Sequence, residues 1–483
     1  MRGHHPAHRD ERDIPTGRTG LRTGLRSGGR SGGRSGHRSR SRFRPVPDRA
    51  RTALPPRARR TALTGLLAIA LAAGTTACAS EEEVTVTVLA ADFGQRVVIP
   101  TSEFWDDVID RFEEENPNVT VEVELVPWET ADTVLAERVA AGEPPDIAQA
   151  GSFAEYAADD LLYSASDLLP LTTQADFHLP LARAGEYRWE QYGIPFISST
   201  PRLFVNLDLL ERAGVEEPPT DWSELLETAR ALREVGVSVP YALQFGPDGV
   251  HEEALVWMLG AGGGYTNTGD HYAIDSEENV EALEWLRDNL IAEGLTGPPP
   301  AELDRATSYG GFFTGEVGMM MGHPAMLVAM EQAGVNHAHV PFPSRDGGPG
   351  VPTGISDWLV AFRGPGHEDE VGAFLEFLYR PENHAFSSGR HGTVPTTVSG
   401  SQLLLEDEDH RHLWEFVEQM PRAELQPLNK HSWPAVRGLL LEHLNRAVGP
   451  DGDPAAVLAE IQALAEEESG ADGGTSEGTG AGG

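Results

Sequence analysis

The chain has 483 residues, with 75 acidic and 37 basic side chains and a formal net charge of −38. The charge is uneven, because residues 1–77 hold 17 Arg and only 4 acidic residues, which leaves −51 on the remaining 406 residues. So acidic a chain argues against nucleic acid or an anionic membrane surface as a partner. A segment of 406 residues is also longer than one hydrophobic core usually holds, so we expect two lobes.

The N-terminal segment has the composition of a targeting sequence. Residues 1–60 are rich in Arg, Ser and Gly and predict disorder. Residues 61–73 are mostly apolar, too short for the ~20 residues of a membrane-spanning helix but suited to a secretory signal. Cys78 follows and is the only cysteine, an arrangement that resembles a bacterial lipoprotein signal. We expect lipidation of Cys78 and attachment to the outer face of the cell membrane. The alternatives are a plain cleaved signal and, with Arg59-Arg60, a twin-arginine signal.

The first elements after this segment alternate between strands and helices. Polar and apolar residues alternate over 84–89 and over 119–126, which predicts two strands. Phe104, Val108 and Phe112 repeat every four residues and predict a helix between those strands. A helix over 130–141 and a short strand over 145–148 should follow. A strand–helix–strand unit of this kind builds a parallel sheet, so the fold class is α/β.

Two later helices carry capping signals. Asp221 and Glu224 are spaced for a capping box, and Gly236 is suited to end that helix. A second helix should begin near Asp275 and end at Gly294. Residues 469–483 have almost no apolar content and predict a disordered tail.

Seven short motifs occur in the order typical of one family. They include Gly-Glu-Pro-Pro-Asp-Ile over 142–147, Tyr-Gly-Ile-Pro-Phe over 192–196, Phe-Thr-Gly-Glu-Val-Gly-Met over 313–319 and Gly-Thr-Val-Pro over 392–395. From about Val84 to Glu468 the chain therefore resembles the family 1 extracellular solute-binding proteins of bacterial ABC importers, relatives of maltose-binding protein.

The resemblance implies a two-lobed periplasmic-binding-protein fold of type II character, with crossing hinge strands and the ligand in the cleft between the lobes. The first lobe would comprise residues 84–197 and 341–392. The second lobe would comprise residues 198–340 and 393–468.

Motifs of catalysis are absent from the sequence. It has no G-x-S-x-G nucleophile elbow, no H-E-x-x-H pair and no phosphate-binding loop, and Gly260–Gly264 lacks the Lys and Ser/Thr of a nucleotide loop. The His410–His412 region has metal-ligating residue types, but it lies in a dense acidic run and is better read as a solvated surface. We therefore expect a non-enzymatic binding protein without a cofactor or a metal.

Candidate ligand-binding residues of the first lobe follow its strands. Asp92 and Phe93 come directly after the first strand, where open α/β sheets bind ligands, although Asp92 is equally suited to cap a helix. Ser152 follows the third strand, and Ser199 ends the Phe-Ile-Ser-Ser segment.

The second lobe and the hinge supply further candidates. The resemblance implies that Trp433 stacks on a sugar ring and that the His251-Glu252-Glu253 loop and His323 reach the ligand; we take His251 and Glu252. Each of these positions has a structural alternative, a core Trp or exposed charges. Trp358 is also a candidate, and because side chains alternate along a strand, only one of Asp357 and Trp358 should face the cleft.

We predict that the protein is a monomeric, lipid-anchored subunit that binds a mono- or oligosaccharide and delivers it to a membrane permease. Sugars require flat aromatic rings and polar groups around them. Alternatives are the same fold with a polyamine or glycerophosphodiester ligand, and a secreted carbohydrate-active enzyme.

Overall fold

The computed structural model describes residues 83–93, 100–247, 249–364, 366–449 and 451–473. The predicted signal segment, Cys78 and the last ten residues lie outside these ranges, so the predictions of disorder and lipidation remain predictions.

The strands form two main sheets and one small hairpin. In chain order they are β1 Val84–Asp92, β2 Val119–Pro127, β3 Ile147–Ala150, β4 Glu186–Tyr187, β5 Glu190–Gln191, β6 Ile194–Ser199, β7 Arg202–Asn206, β8 Val239–Ala242, β9 Val317–Gly322, β10 His337–Val340, β11 Thr353–Ala361 and β12 Glu424–Leu425. The first sheet has the order β12-β11-β3-β1-β2, and β6 also pairs with β11. The second sheet has the order β10-β7-β9-β8, and β4 and β5 form the hairpin.

Helices cover both sheets and account for most of the remaining described residues. In chain order they are α1 Thr101–Glu115, α2 Trp128–Ala141, α3 Ala154–Ala158, α4 Ala165–Leu168, α5 Leu171–Gln174, α6 Leu179–Ala184, α7 Leu207–Ala213, α8 Trp222–Glu234, α9 Val250–Gly260, α10 Glu277–Trp285, α11 Arg305–Phe313, α12 Leu327–Ala333, α13 Glu368–Leu378, α14 Pro381–His391, α15 Val398–Glu406, α16 Trp414–Val417, α17 Trp433–Ala447 and α18 Pro454–Gly473. None of the helices in the described ranges is long and apolar enough to cross a membrane.

The predicted alternation of strands and helices at the start of the chain is confirmed. β1 pairs in parallel with both β2 and β3, as the strand–helix–strand pattern requires. On α1, Val108 and Phe112 are buried with Trp105, which accounts for the four-residue repeat. β11 then adds to the edge of β3 in the antiparallel direction.

Several helix boundaries differ from the predictions. α2 begins two residues earlier than predicted, at Trp128. The α-helix predicted to end at Gly294 stops at Trp285 and is followed by a π-helical turn over Leu286–Ile291. Asp221 does cap α8 by accepting from the Glu224 N–H, but the Glu224 carboxylate accepts from Thr220 instead of Asp221. Ser276, one residue later than predicted, caps α10 because its hydroxyl oxygen accepts the Asn279 N–H. The last helix continues to Gly473 and so includes the first five residues of the predicted tail.

The two main sheets are joined by a very short connection. Only Thr200 and Pro201 separate β6 in the first sheet from β7 in the second. Thr200 has no exposed surface, donates its hydroxyl to the Phe416 carbonyl at 3.0 Å, and accepts from Gln419 Nε2 at 3.1 Å. This connection fixes where the two sheets meet.

The segment after α14 is hydrogen-bonded to the first sheet and to the loop before α6. The Val394 N–H donates to the Ser198 carbonyl at 2.8 Å, and the His178 ring lies 2.8 Å from the Ser401 hydroxyl. Further along, Phe416 packs against Phe204 of the second sheet at 6.1 Å between ring centroids. The lobe boundaries drawn from the sequence remain a prediction.

Candidate functional site

The crossing between the sheets brings residues of both lobes together. Ser199 ends β6, and its hydroxyl lies 3.0 Å from Nδ1 of His323, which directly follows β9. His323 and Glu252 line an opening of about 220 Å³ beside this crossing, together with Pro201, Leu255, Thr353, Gly354, Ile355 and Gln426. Three of the predicted binding residues, Ser199, Glu252 and His323, therefore meet at one place.

The first turn of α9 supplies the next group. Glu252 forms an ion pair with Arg305 at the start of α11. Burial acts to raise the pKa of Glu252, but Arg305 and the neighbouring imidazoles outweigh it, so the pKa lies below its usual value. The Glu252 carboxylate is therefore ionised and held in place.

His251 is 7% exposed, and its carbonyl accepts the Tyr265 hydroxyl at 2.5 Å. Burial lowers the pKa of His251 to about 4, and the nearby Arg437 and Arg305 guanidinium groups act in the same direction. The imidazole is therefore neutral at physiological pH.

Glu253, the third residue of the predicted loop, belongs to the interior instead. Its carboxylate accepts from the Tyr241 hydroxyl and the Gln244 N–H, each at 2.6 Å. It has no exposed surface, and burial raises its pKa to about 7. These bonds attach the start of α9 to β8 and to the loop after it. The choice of His251 and Glu252 as cleft residues remains a prediction.

His323 is also a buried neutral histidine. It is 7% exposed, and burial lowers its pKa to about 3, with Arg305 acting in the same direction. Its Nδ1 is occupied by Ser199, which leaves Nε2 as the atom available to another group.

Trp433 is the first residue of α17 and is 1% exposed. Its ring packs on Tyr265 at 5.6 Å between centroids, and the Tyr265 hydroxyl donates to His251. Trp433 and His251 are thus held on either side of one tyrosine. One turn later, Arg437 is half-buried and makes no ion pair or hydrogen bond with the described residues.

Four of the predicted binding residues share an unusual feature. Each buries one ring nitrogen that has no hydrogen-bond partner within the described part of the chain: Nδ1 of His251, Nε2 of His323, and Nε1 of Trp358 and Trp433. Leaving a buried polar group unpaired costs roughly 1–3 kcal/mol, so such groups are rare in native structures and each requires a partner such as a water molecule, an ion or a ligand group.

Trp358 differs from the other three in its location. It has no exposed surface and packs edge to face on Phe153 at 5.6 Å, within the core of the first lobe. The adjacent Asp357 is half-buried, and its Oδ2 accepts from Gln149 Nε2 at 2.8 Å. Asp357 is therefore the better candidate for a ligand contact, and Trp358 can contribute at most its indole N–H.

The first-lobe side of the site is acidic. Burial raises the pKa of Asp357 to about 6, and Asp132 and Glu252 act in the same direction. Asp132 accepts the Gly151 N–H at 2.9 Å, and it also helps to raise the pKa of Glu155, which burial raises most. Three carboxylates thus lie close together at the carboxyl end of β3.

The remaining candidates lie near this edge of the sheet. Asp92 is half-buried at the end of β1, and Ser152 is half-buried after β3. The Phe93 N–H donates to the Thr101 hydroxyl at 3.3 Å, and the Phe93 ring lines a cavity of about 390 Å³ with Phe104, Trp105, Gln149, Phe196, His391 and others. Gln149 connects this cavity to Asp357. Whether these residues contact a ligand remains a prediction.

Sequence reasoning missed Arg305 and Arg437, which lie beside the predicted site residues Glu252 and His251. Arg437 is four residues after Trp433, so helical periodicity could have placed both on one face of α17. Nothing in the sequence relates Arg305 to Glu252, which is 53 residues away. Within the described ranges, no group of three or more His, Cys, Asp or Glu is arranged to hold a metal ion.

Comparisons with known proteins agree with this architecture. The model of the bacterial extracellular solute-binding protein family matches residues 99–385. A binding protein of Brucella abortus (strain 2308) is 24% identical over 414 residues, which cover 84% of this chain and 96% of the relative. The sn-glycerol-3-phosphate-binding periplasmic protein UgpB of Pectobacterium atrosepticum is 25% identical over 265 residues, 52% of this chain and 57% of that protein.

Among solved structures, the sugar-binding protein MalE of Xanthomonas citri superposes with a TM-score of 0.69 at 22% identity. The match covers 82% of this chain and 100% of that chain. The predicted two-lobed α/β fold is thereby confirmed.

Proposed function

Because the chain belongs to the family of bacterial extracellular solute-binding proteins, we propose that it is the substrate-binding subunit of an ABC importer with a mono- or oligosaccharide ligand in its cleft. Proteins of this family serve transport rather than catalysis. The family resemblance predicted from the sequence motifs is confirmed by this match.

One observation favours a hydroxyl-rich ligand over the alternatives. The second lobe presents the unpartnered ring nitrogens of His251, His323 and Trp433, while the first lobe presents the carboxylates of Asp357 and Asp132. A sugar hydroxyl can accept from an indole or imidazole N–H and donate to a carboxylate. A polyhydroxylated ligand therefore suits both sides at once.

Calorimetric titration with glucose, maltose, maltotriose and cellobiose tests this proposal. We expect at least one of these to bind and to be recovered intact after prolonged incubation with stoichiometric protein. Hydrolysis of the bound sugar would favour the enzyme reading, and failure of all neutral sugars in favour of a polyamine such as spermidine would contradict the carbohydrate proposal.

We also propose that Cys78 is lipidated and that the lipid holds the protein beside its permease. Cys78 lies outside the described residues, so the support is its position after a lipoprotein-like signal. Cys78→Ser should release the protein into the medium. Equal partitioning of the variant and the wild type between membrane and medium would exclude this anchor.

A glycerophosphate ligand is the second candidate, and two observations favour it. The relative from Pectobacterium atrosepticum is named for binding sn-glycerol-3-phosphate. Arg437, in addition, is half-buried beside His251 without a carboxylate partner among the described residues.

A further inference from the structure

The hairpin of β4 and β5 presents a tryptophan to the solvent. Trp189 lies at its tip and is 92% exposed, more than any other large apolar side chain in the described ranges. Beside it, the Arg188 guanidinium carbon lies 5.1 Å from the centre of the Tyr187 ring. Single exposed apolar residues are common on protein surfaces, so exposure alone does not assign a role to Trp189.

The backbone of the tip is unfavourable for the residues that occupy it. Arg188 has a φ of 52° and Trp189 a φ of 71°. Both angles lie in the left-handed region, where the commonest two-residue hairpin turn places Asn and Gly. A side chain that strains the turn and stays in the solvent does not stabilise the fold. The Trp189 ring therefore points to a contact outside the chain.

The hairpin is attached to the end of the first sheet where β1 begins. The Ser166 hydroxyl of α4 donates to Glu190 of β5 at 2.7 Å. α4 follows Tyr163, whose N–H donates to the carbonyl of Ala361, the last residue of β11, at 2.8 Å. Because β11 is antiparallel to β3 and β3 is parallel to β1, the end of β11 lies beside the beginnings of both strands. Asp357 of the candidate ligand site lies toward the opposite end of this sheet.

The proposed lipid anchor is connected to the same end of the sheet. Only five residues separate Cys78 from Val84, the first residue of β1. A connection of this length spans at most about 20 Å when it is fully extended. The hairpin directly precedes β6, which lies three strand spacings from β1, or about 14 Å. A lipid on Cys78 therefore brings the hairpin close to the membrane surface.

The residue types at the tip suit the boundary between lipid and water. Trp and Tyr combine an apolar ring with a polar group and are enriched at the level of the lipid headgroups, and Arg can bind lipid phosphates. Leu171, at the start of the neighbouring α5, adds an apolar side chain that is 77% exposed. Because the chain as a whole is acidic, the attraction is apolar and short-ranged, and the tether supplies the proximity that it needs.

We propose that the tip residues Tyr187, Arg188 and Trp189 form a second, weak membrane contact beside the lipid anchor, with the Trp189 ring inserted among the headgroups. This inference rests on the proposed lipidation of Cys78 and goes beyond ligand binding. The contact turns the beginning of β1 toward the membrane and the ligand site, at the opposite end of the sheet, toward the outside. Because a single ring is held weakly, the protein can leave this orientation to meet its permease.

The test is fluorescence quenching by brominated phosphatidylcholine, whose bromine atoms quench only indole rings that enter the lipid. The lipidated protein, purified from membranes of producing cells, is reconstituted in phosphatidylcholine vesicles with and without the brominated lipid. Trp189 is one of nine tryptophans, so the wild type should lose about one ninth of its emission, and Trp189→Phe should lose none. Trp128→Phe removes a partly exposed tryptophan at the opposite end of the sheet, so this matched control should be quenched like the wild type.

A second arm makes the test independent of natural lipidation. Cys78 is the only cysteine, so protein without the lipid can be coupled through this thiol to a maleimide-bearing phospholipid in the same vesicles. The coupled protein should show the same quenching. Cys78→Ser protein mixed with these vesicles should show none, because the contact is too weak without a tether.

Thermal melting distinguishes a membrane contact from a role in the fold. Glycine adopts a positive φ without strain, so Trp189→Gly should melt at least as high as the wild type in solution. A lower melting temperature would show that Trp189 stabilises the fold and would overturn the proposal.

The remaining outcomes separate this inference from the proposed function. Equal quenching of the wild type and Trp189→Phe, or no quenching of either anchored form, would overturn the membrane contact. Sugar binding by the same samples would then leave the carbohydrate proposal intact. Quenching of the coupled protein when cells attach no lipid would support the contact and overturn only the natural anchor.

Discussion

The two sides of the cleft offer different kinds of polar group. The first lobe contributes carboxylates, with Asp357 held by Gln149 and Asp132 held by the Gly151 N–H. The second lobe contributes neutral imidazoles, an indole and a guanidinium. One side thus accepts hydrogen bonds while the other mainly donates them. We expect a ligand bound between them to be oriented by this difference, with hydroxyl donors toward the first lobe and acceptor oxygens toward the second.

The largest expected effect comes from Trp433→Ala. A Trp433 that only stacked on a ligand would weaken binding when replaced and leave the melting temperature of the free protein nearly unchanged. With 1% of Trp433 exposed and its ring packed on Tyr265, we now expect a loss of about 3–5 kcal/mol in the free energy of unfolding as well. Thermal melting and calorimetric titration measure the two effects separately.

Trp433→Phe is the companion variant, because it retains most of the buried ring. It should keep near-normal stability and lose affinity, since the donor on the second-lobe side is removed. Normal affinity in Trp433→Phe would show that the indole N–H does not contact the ligand, and the difference between the two sides would then be smaller than described.

The second prediction concerns buried histidines on the two lobes. His384 in the first lobe and His323 in the second have pKa values lowered by burial to about 4 and about 3. An unfolded histidine has a pKa near 6.5, so the unfolded chain takes up protons first as the pH falls. Their contribution to stability is full above pH 6.5 and is lost as the pH falls from 6.5 toward 4. Each group should cost about 2 kcal/mol at pH 5.

The two histidines can be distinguished by replacement. Nε2 of His384 lies 2.8 Å from the Thr396 hydroxyl, so His384→Gln should lower the melting temperature even at pH 7.5. Nε2 of His323 is unpartnered among the described residues, so His323→Gln should affect stability less and affinity more. Equal losses of stability at pH 7.5 would mean that His323 is as structural as His384.

The smallest expected loss of affinity is that of Asp357→Asn. Its folded pKa of about 6 lies above the unfolded value near 3.9, so ionising Asp357 costs stability as the pH rises through 6. The free variant should therefore melt higher than the wild type at pH 7.5 and similarly at pH 4. Its affinity for the ligand should fall roughly tenfold, because an acceptor on the first-lobe side is replaced by an amide. Lower stability at pH 7.5 would indicate that the carboxylate serves packing.

Much of the fold could be predicted because its signals are local. The four-residue repeat of α1 and the alternation along β1 and β2 follow from helix and strand geometry, and the Asp221 cap follows from side-chain chemistry. Ordered motifs then identified the two-lobed arrangement.

The site was less accessible because its contacts join distant segments. The Gln149–Asp357 bond spans 208 residues and the Ser199–His323 bond spans 124, and no local pattern encodes either. The burial of Trp433 depends on Tyr265, which the sequence does not relate to it. Arg437 stands out only because it forms no ion pair with the described residues. The lack of an ion pair can be recognised only in three dimensions.

The two-residue connection through Thr200 and Pro201 has a consequence for rates. Because the connection has only two residues and Thr200 is bonded to Phe416 and Gln419, we expect the lobes to open by rotation about this link. A substitution at Thr200 or Pro201 should therefore change the rates of ligand entry and ligand exit by similar factors. The dissociation constant, which is the ratio of the two rates, should stay nearly constant. Changes at Arg437 or Asp357 would act mainly on exit. We therefore expect that the rate of ligand exchange and the ligand selectivity can be altered independently, through different residues of the same cleft.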